Sequence, residues 1–383
     1  MVDEYKKRYS LLCPGPVNVS PRVLAAMQAY EIGHREPEFS TLLKEVRRNL
    51  IAVAGLNSEE YSCVVITGSG SAGNEAVLSS AITATQQVLS LSNGEFGRRL
   101  GDIASIYNPN CMRQEQEWGS ALDLERLENT LKSQRIDWIT MVHHETSTGE
   151  LQPVAEVGAL CKKYHVKLFV DAVSSFMADR IDIAACNINF ITSSSGKALG
   201  MPPGLALVIG KKSDFEALAQ NPPRNYYLNL ARHYEYHESC AQTPNTPAIN
   251  LFIALNEALR QVLEEGVIER FQRQAAKVQL LRSKLADHGL ELNNPKAELS
   301  NAVSSVKLPL GTNFERLRND LRADNFVVYS GKGPLLGKIA QISTMGAIDE
   351  SVIEDFIDSL LQALHNQGCI ELHTPKFKSA SIA

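Results

Sequence analysis

Residues 167–204 read KLFVDAVSSFMADRIDIAACNINFITSSSGKALGMPPG, and two positions within them carry the argument. VKLFVD is a short apolar run that ends in Asp171; INFIT is a second such run, followed by SSSGK and Lys197. Open α/β sheets place their chemistry just beyond the carboxyl ends of strands like these. An acid paired with a lysine there suits pyridoxal phosphate (PLP). The lysine forms a Schiff base, and the carboxylate keeps the pyridine nitrogen protonated so that the ring accepts electrons. The same two residues would equally fit a solvated strand-end aspartate and an ordinary surface lysine, so the surrounding sequence has to decide.

Outward from that stretch, strand and helix patterns alternate from about residue 49 to residue 210, as repeated βα units on a mostly parallel sheet would. SCVVIT, VLSLS, DWITMVHH, VKLFVD, INFIT and LALVIG read as strands, and residues 154–164 as a helix between two of them. Upstream, EPEFSTLLKEVRRNLIAVAGL puts Phe39, Leu42, Leu43, Val46 and Leu50 on one helical face, with Ser40 as the expected N-cap. After Pro247 the pattern changes to one long helical stretch, a strand AVSSVKL, a helix over 314–323, FVVYS and a last helix after Asp349. The expected fold is α/β: a large doubly wound, mostly parallel sheet domain (21–250) and a smaller C-terminal α/β domain (251–370). An N-terminal arm (1–20) and a loose tail (371–383) flank them.

The 383 residues leave room for both domains. A hydrophobic share of 44% with 21% charged residues describes an ordinary globular chain. A net charge of −5 gives no electrostatic case for nucleic acid or an anionic membrane as partner. No run of about 18 apolar residues is present to span a bilayer. The seven cysteines are scattered without a CxxC pair, which reads as reduced thiols in a cytoplasmic protein.

GSGSAG contains Gly68, Gly70 and Gly73 between a strand and a helix, a literal G-x-G-x-x-G. A dinucleotide fold would also want an acid at the end of the next strand, and VLSLSN has none. What the turn does offer is backbone N–H groups and hydroxyls of Ser69, Gly70 and Ser71 at a helix N-terminus, which suit any phosphate; a purely structural turn is the alternative. SNGEFG sets Phe96 in a glycine-flanked turn, where an aromatic ring could stack on a flat cofactor or simply be buried. HHETSTGE brings Thr146, Ser147 and Thr148 after a strand, as donors to a phenolate oxygen or as helix caps. His143 and His144 lack further ligand spacing, so no metal is expected.

A phosphate cradle, an aromatic, a hydroxyl cluster, a strand-end Asp and a Lys before PPG thus follow in one order. That order resembles the class V (fold type I) PLP-dependent aminotransferases, most closely the 2-aminoethylphosphonate:pyruvate and then the alanine– or serine–glyoxylate aminotransferases. The resemblance runs from PGPVNVSPRV at Pro14 through GHREPEF, GSGS, SNGEFG, HHETSTG, VDAVSSF, GKALGMPPG and TPNTPA to FVVYSGKGPL, nearly the whole chain. It implies Lys197 as the Schiff-base lysine, Asp171 at the pyridine nitrogen, Phe96 on the ring and Thr146 near the phenolic oxygen. Ser69, Gly70 and Ser71 would hold the phosphate. Thr243 and Thr246 would reach the phosphate of a neighbouring subunit, which makes the expected assembly a homodimer with shared active sites.

Two positions depart from the pattern. Relatives carry Gln or Asn before the lysine where this chain has Gly196, so Ser194 or Ser195 would have to replace one phosphate contact. The C-terminal strand reads AQISTMG, with Gln341 where relatives have the arginine that forks onto the substrate's acid group. Arg35 and Arg22 are the candidate stand-ins. The expected activity is amino-group transfer between a small amine or amino acid and a 2-oxo acid or aldehyde. The alternatives are a PLP-dependent lyase, decarboxylase or oxidase and, from another class, a dinucleotide-binding oxidoreductase.

Overall fold

The six apolar runs singled out above all become strands of a single sheet. The computed structural model describes residues 8–371, so most of the expected tail lies outside the described residues. In chain order the strands are β1 (Ser10–Leu11), β2 (Tyr61–Thr67), β3 (Val88–Ser92), β4 (Cys111–Glu115), β5 (Trp138–Val142), β6 (His144–Glu145) and β7 (Glu150–Leu151). They continue with β8 (Lys167–Asp171), β9 (Phe190–Ser194), β10 (Leu205–Lys211), β11 (Ser304–Lys307), β12 (Phe326–Val327), β13 (Tyr329–Ser330) and β14 (Ile339–Ile342). The helices are α1 (Pro21–Ala26), α2 (Pro37–Val53), α3 (Gly70–Ala81), α4 (Glu95–Tyr107), α5 (Leu124–Ser133) and α6 (Val154–Lys163). After the main sheet come α7 (Lys212–Ala217), α8 (Leu230–Ser239), α9 (Ile249–Glu265), α10 (Val267–Asp287), α11 (Phe314–Ala323) and α12 (Glu350–His365).

The main sheet has the order β2-β10-β9-β8-β5-β3-β4. Every neighbouring pair is parallel except those made by β10, which runs antiparallel to both β2 and β9. Strands β3, β5 and β9 are buried along their whole length. Helices cover both faces of the sheet, so the apolar residues and the small serines of these strands are buried alike. The edge strand β4 gave no such signal, because only Gln114 of its five residues is buried.

Three local readings change. Helix α2 starts at Pro37 with Glu36 in the N-cap position, one turn before the expected cap Ser40, because proline is pre-set for the first helical turn. Helix α3 takes in the glycine turn from Gly70 onward. The long stretch after Pro247 is two helices, broken at Gly266, whose φ of 92° no helix accepts.

Helix α9 packs its apolar face, including Phe252, Leu255 and Leu259, into the same core as α2 and the main sheet. The second half of α10, with Leu281 and Leu285, joins a separate core formed with α11, α12 and the small sheet β11-β14-β13. The change of core therefore falls within α10. Of the described residues of the N-terminal arm, Ser10 to Leu12 join the smaller unit, since β1 pairs with β12 (Ser10 opposite Phe326) and Leu12 is buried there, while Val17 packs in the larger core. Buried polar contacts join the two units. Asp179 accepts from the Ser300 hydroxyl and from the Asn301 N–H and side-chain amide (2.5, 2.8 and 3.0 Å).

Candidate active site

Because β10 is antiparallel to both its neighbours, the carboxyl ends of β2, β3, β5, β8 and β9 all open on one edge of the sheet. A cavity of about 290 Å³ lies there. Asp171 ends β8 at its floor. Its Oδ1 accepts the Val173 N–H (2.8 Å) and its Oδ2 accepts from the Asn74 side-chain amide (2.6 Å). The Asn74 Oδ1 in turn accepts from the Thr192 hydroxyl (2.5 Å), so the carboxylate is clamped by β9 and α3 at once. Burial raises the Asp171 pKa, and these donors pull it back.

Lys197 enters from the loop after β9, and its Nζ donates to the Pro14 carbonyl. Burial pushes its pKa down to about 8, with Arg99 and Lys332 adding to the fall and Cys13 and Asp171 opposing it. Gly15 lies against this amine. A Cβ at Gly15 would come within 2.6 Å of Nζ, at a φ of 130° that disfavours any side chain.

On the far wall, Ser69 occupies the N-cap position of α3 without capping it by its side chain, so the first N–H groups of that helix are available to an anion. Gly70 permits the approach: a Cβ there would meet Val173 at 2.7 Å. Ser69, Gly70, Ser71 and Ser194 all line the cavity, as do Phe96, Thr146, Asp171 and Lys197. Phe96 sits in the first turn of α4 rather than in an open turn, and it is half-buried. The buried Glu145 holds that helix in place by accepting the Phe96 and Gly97 N–H groups (3.2 and 2.9 Å). The Thr146 hydroxyl donates to Ser174 (2.8 Å).

Other expected contributors stand elsewhere. Ser195 cannot replace a missing phosphate contact, because its hydroxyl donates to the Pro202 carbonyl (2.8 Å) and accepts the Leu205 N–H (3.1 Å). Arg22 is not a stand-in for the substrate arginine: it is exposed and paired with Glu257 and Glu264, each at 2.7 Å, beside a different cavity. Arg35 likewise stays outside the cavity, donating to the Thr243 carbonyl (2.7 Å) and to Gln242 (3.0 Å). Thr243 is buried and donates to the Asn245 carbonyl, while Thr246 is exposed. Gln341, expected at the substrate, lies buried on β14 and donates its amide to the Thr146 carbonyl (2.5 Å). It braces the site from behind and does not line it.

The sequence reading missed Asn74, Gly15, Glu145, His144 and Arg99. Asn74 lies one helical turn beyond Gly70, and Gly15 between two prolines. Both His144 ring nitrogens are buried without a partner and its pKa falls to about 3, so the neutral ring lines the cavity with hydrogen-bonding capacity unused.

A fixed carboxylate, an amine of lowered pKa and an uncapped helix N-terminus around one cavity match the needs of PLP, and a doubly wound sheet that presents them defines the fold type I enzymes. The chain belongs to the class-V aminotransferase family, whose model it matches over residues 11–334. It is 34% identical over 374 residues to an uncharacterized aminotransferase of Methanocaldococcus jannaschii, covering 97% of this chain and 93% of that one. It is 29% identical over 365 residues to a 2-aminoethylphosphonate–pyruvate transaminase of Bacillus mycoides, covering 94% and 99%. The crystal structure of an alanine–glyoxylate aminotransferase from Nostoc superposes with a TM-score of 0.88 at 32% identity, covering 94% of this chain and 96% of that one. The protein is thus a PLP-dependent aminotransferase and not a dinucleotide-binding oxidoreductase.

Asn74 is the most direct test of how the carboxylate is held. Asn74→Ala strips Asp171 of one donor, and leaving a buried polar group unpaired costs about 1–3 kcal/mol. Turnover should fall roughly tenfold while PLP stays bound through the α3 N-terminus; an unchanged kcat would remove Asn74 from the site.

Proposed function

We propose that Lys197 carries the cofactor covalently, that Asp171 faces its pyridine nitrogen, and that the N-terminus of α3 with Ser69, Gly70 and Ser71 holds its phosphate. The observation that supports this reading is the placement of Asp171 and Lys197 on one cavity with that helix end. When bound, PLP supplies a conjugated ring that takes up the electron pair left as a proton leaves the amine-bearing carbon.

The residues around the cavity divide the remaining work. With a pKa near 8, Nζ of Lys197 is partly neutral at physiological pH, so it can take that proton and return it elsewhere. The Asp171 carboxylate holds a proton at the ring nitrogen. Phe96, seated by Glu145, stacks on the ring; Thr146 lies toward the phenolic oxygen, and Ser194 takes up the phosphate contact left open by Gly196. The reaction moves an amino group between a small amine or amino acid and a 2-oxo acid or aldehyde.

The assembly we propose is a homodimer with shared sites. Thr246 is exposed at the tip of a segment anchored by the Ala248 N–H donating to Thr67 (3.0 Å), at the end of β2. From there it serves the neighbouring subunit's phosphate. A cytoplasmic location accords with seven free cysteines. Among the described residues no helix is long and apolar enough to cross a membrane.

Protein reconstituted with PLP should lose its pyridoxal absorption on addition of an amino donor and regain it with pyruvate or glyoxylate. Loss without recovery by any 2-oxo acid or aldehyde would contradict amino transfer. Capture of PLP by the cofactor-free protein requires the neutral amine of Lys197, so its rate should climb with pH up to about 8 and level off above. Thr246→Ala should weaken PLP retention roughly tenfold, since a hydrogen bond to a charged group contributes about 1.5–3 kcal/mol. A fully active monomer in solution would exclude the shared site.

A further inference from the structure

Two cations converge on the ring of Phe96, neither of them in an ion pair among the described residues, although Asp171 feels the charge of Arg99. The Arg99 guanidinium lies 4.6 Å from the ring centroid and the Lys332 ammonium 4.8 Å from it. Arg99 comes from α4, one turn beyond Phe96, and lines the cavity. Lys332 comes from the smaller unit, in the loop between β13 and β14. That loop is seated on the larger unit at its next residue: a Cβ at Gly333 would come 2.7 Å from the ring of Trp118, and the φ of 49° there suits glycine. The position of Lys332 beside the cavity is therefore set by packing, even though its side chain is exposed.

Among the described residues, neither cation forms an ion pair within 4.0 Å, whereas most of the other arginines do. The acids near the cavity are already engaged. Asp171 is held by Val173 and Asn74, and Glu145 by the N-terminus of α4. Both cations are close enough to disfavour the ammonium form of Lys197. A guanidinium near an aromatic ring keeps its N–H edge free to fork onto two oxygens, and a lysine beside it adds a point charge.

We infer that Arg99 and Lys332 form the binding site for an oxyanion on the substrate, a carboxylate or phosphonate at the end opposite the reacting amine. This supplies, from a different place, the charge that Gln341 lacks and that neither Arg22 nor Arg35 provides. The inference rests on the aminotransferase reading above. The cofactor's own phosphate is the other oxyanion that such a pair could bind. The uncapped N-terminus of α3 already answers to it, whereas Lys332 is exposed and reaches the cavity-lining Phe96 from the smaller unit.

The test compares matched amines in the half-reaction that bleaches the pyridoxal absorption: 2-aminoethylphosphonate and β-alanine, which carry an acid, against ethanolamine, which does not. Wild-type protein should prefer at least one acidic amine by tenfold or more in apparent affinity. Lys332→Gln, an exposed substitution, should reduce that preference roughly tenfold, Arg99→Gln likewise, and Lys332→Arg should restore it. PLP affinity should change less than twofold in Lys332→Gln. Equal use of acidic and neutral amines by wild type, or a preference unmoved in Lys332→Gln, would overturn the inference. So would loss of PLP affinity with the preference intact, which would assign the pair to the cofactor's phosphate. Failure of wild type with every amine would instead tell against the aminotransferase reading itself.

Discussion

A carboxylate buried at the end of a central strand is the constraint around which the site is built. Asp171 is almost inaccessible, and burial raises its pKa. The chain offsets this with the Val173 N–H and the Asn74 amide, and fixes Asn74 through Thr192. The clamp draws on three elements, β8, β9 and α3, and it fixes α3 so that its uncapped N-terminus opens on the same cavity. Lys197 then enters from the loop after β9, its ammonium disfavoured by the same burial that raises Asp171. One low-dielectric cavity thus moves the two groups in opposite directions, as acid–base chemistry near neutral pH requires.

The smaller unit completes the site. Gln341 holds the carbonyl of Thr146, Gly333 lies on Trp118, and the N-terminal segment crosses back so that the Pro14 carbonyl accepts from Lys197. A side chain at Gly15 would press on the Lys197 amine, and one at Gly333 would push the loop that carries Lys332 off Trp118.

The sequence was most legible where burial is complete on both faces. The runs KLFVD and FITSS end at the cavity, and Asp171 at the end of the first and Lys197 in the loop after the second were singled out by those positions. Polar or short elements were not legible. β4 carries one buried residue, and the start of α2 was set by Pro37 rather than by a capping side chain. The residues that hold others in place left little trace. Asn74 and Glu145 carry no spacing signal of their own; only the fold brings them to Asp171 and to the N-terminus of α4. Arg22 and Arg35 stand outside the cavity for a reason no sequence shows: charge is visible there, but the Glu257, Glu264 and Thr243 that engage them lie some 200 residues away.

The central claim, that Lys197 is the amine this cavity prepares for the cofactor, is tested most directly by borohydride reduction of the PLP-loaded protein, followed by peptide mass mapping. The account predicts a pyridoxyl phosphate adduct on the peptide containing Lys197, and none in Lys197→Ala. An adduct of equal yield on another lysine, with Lys197 unmodified, would contradict it.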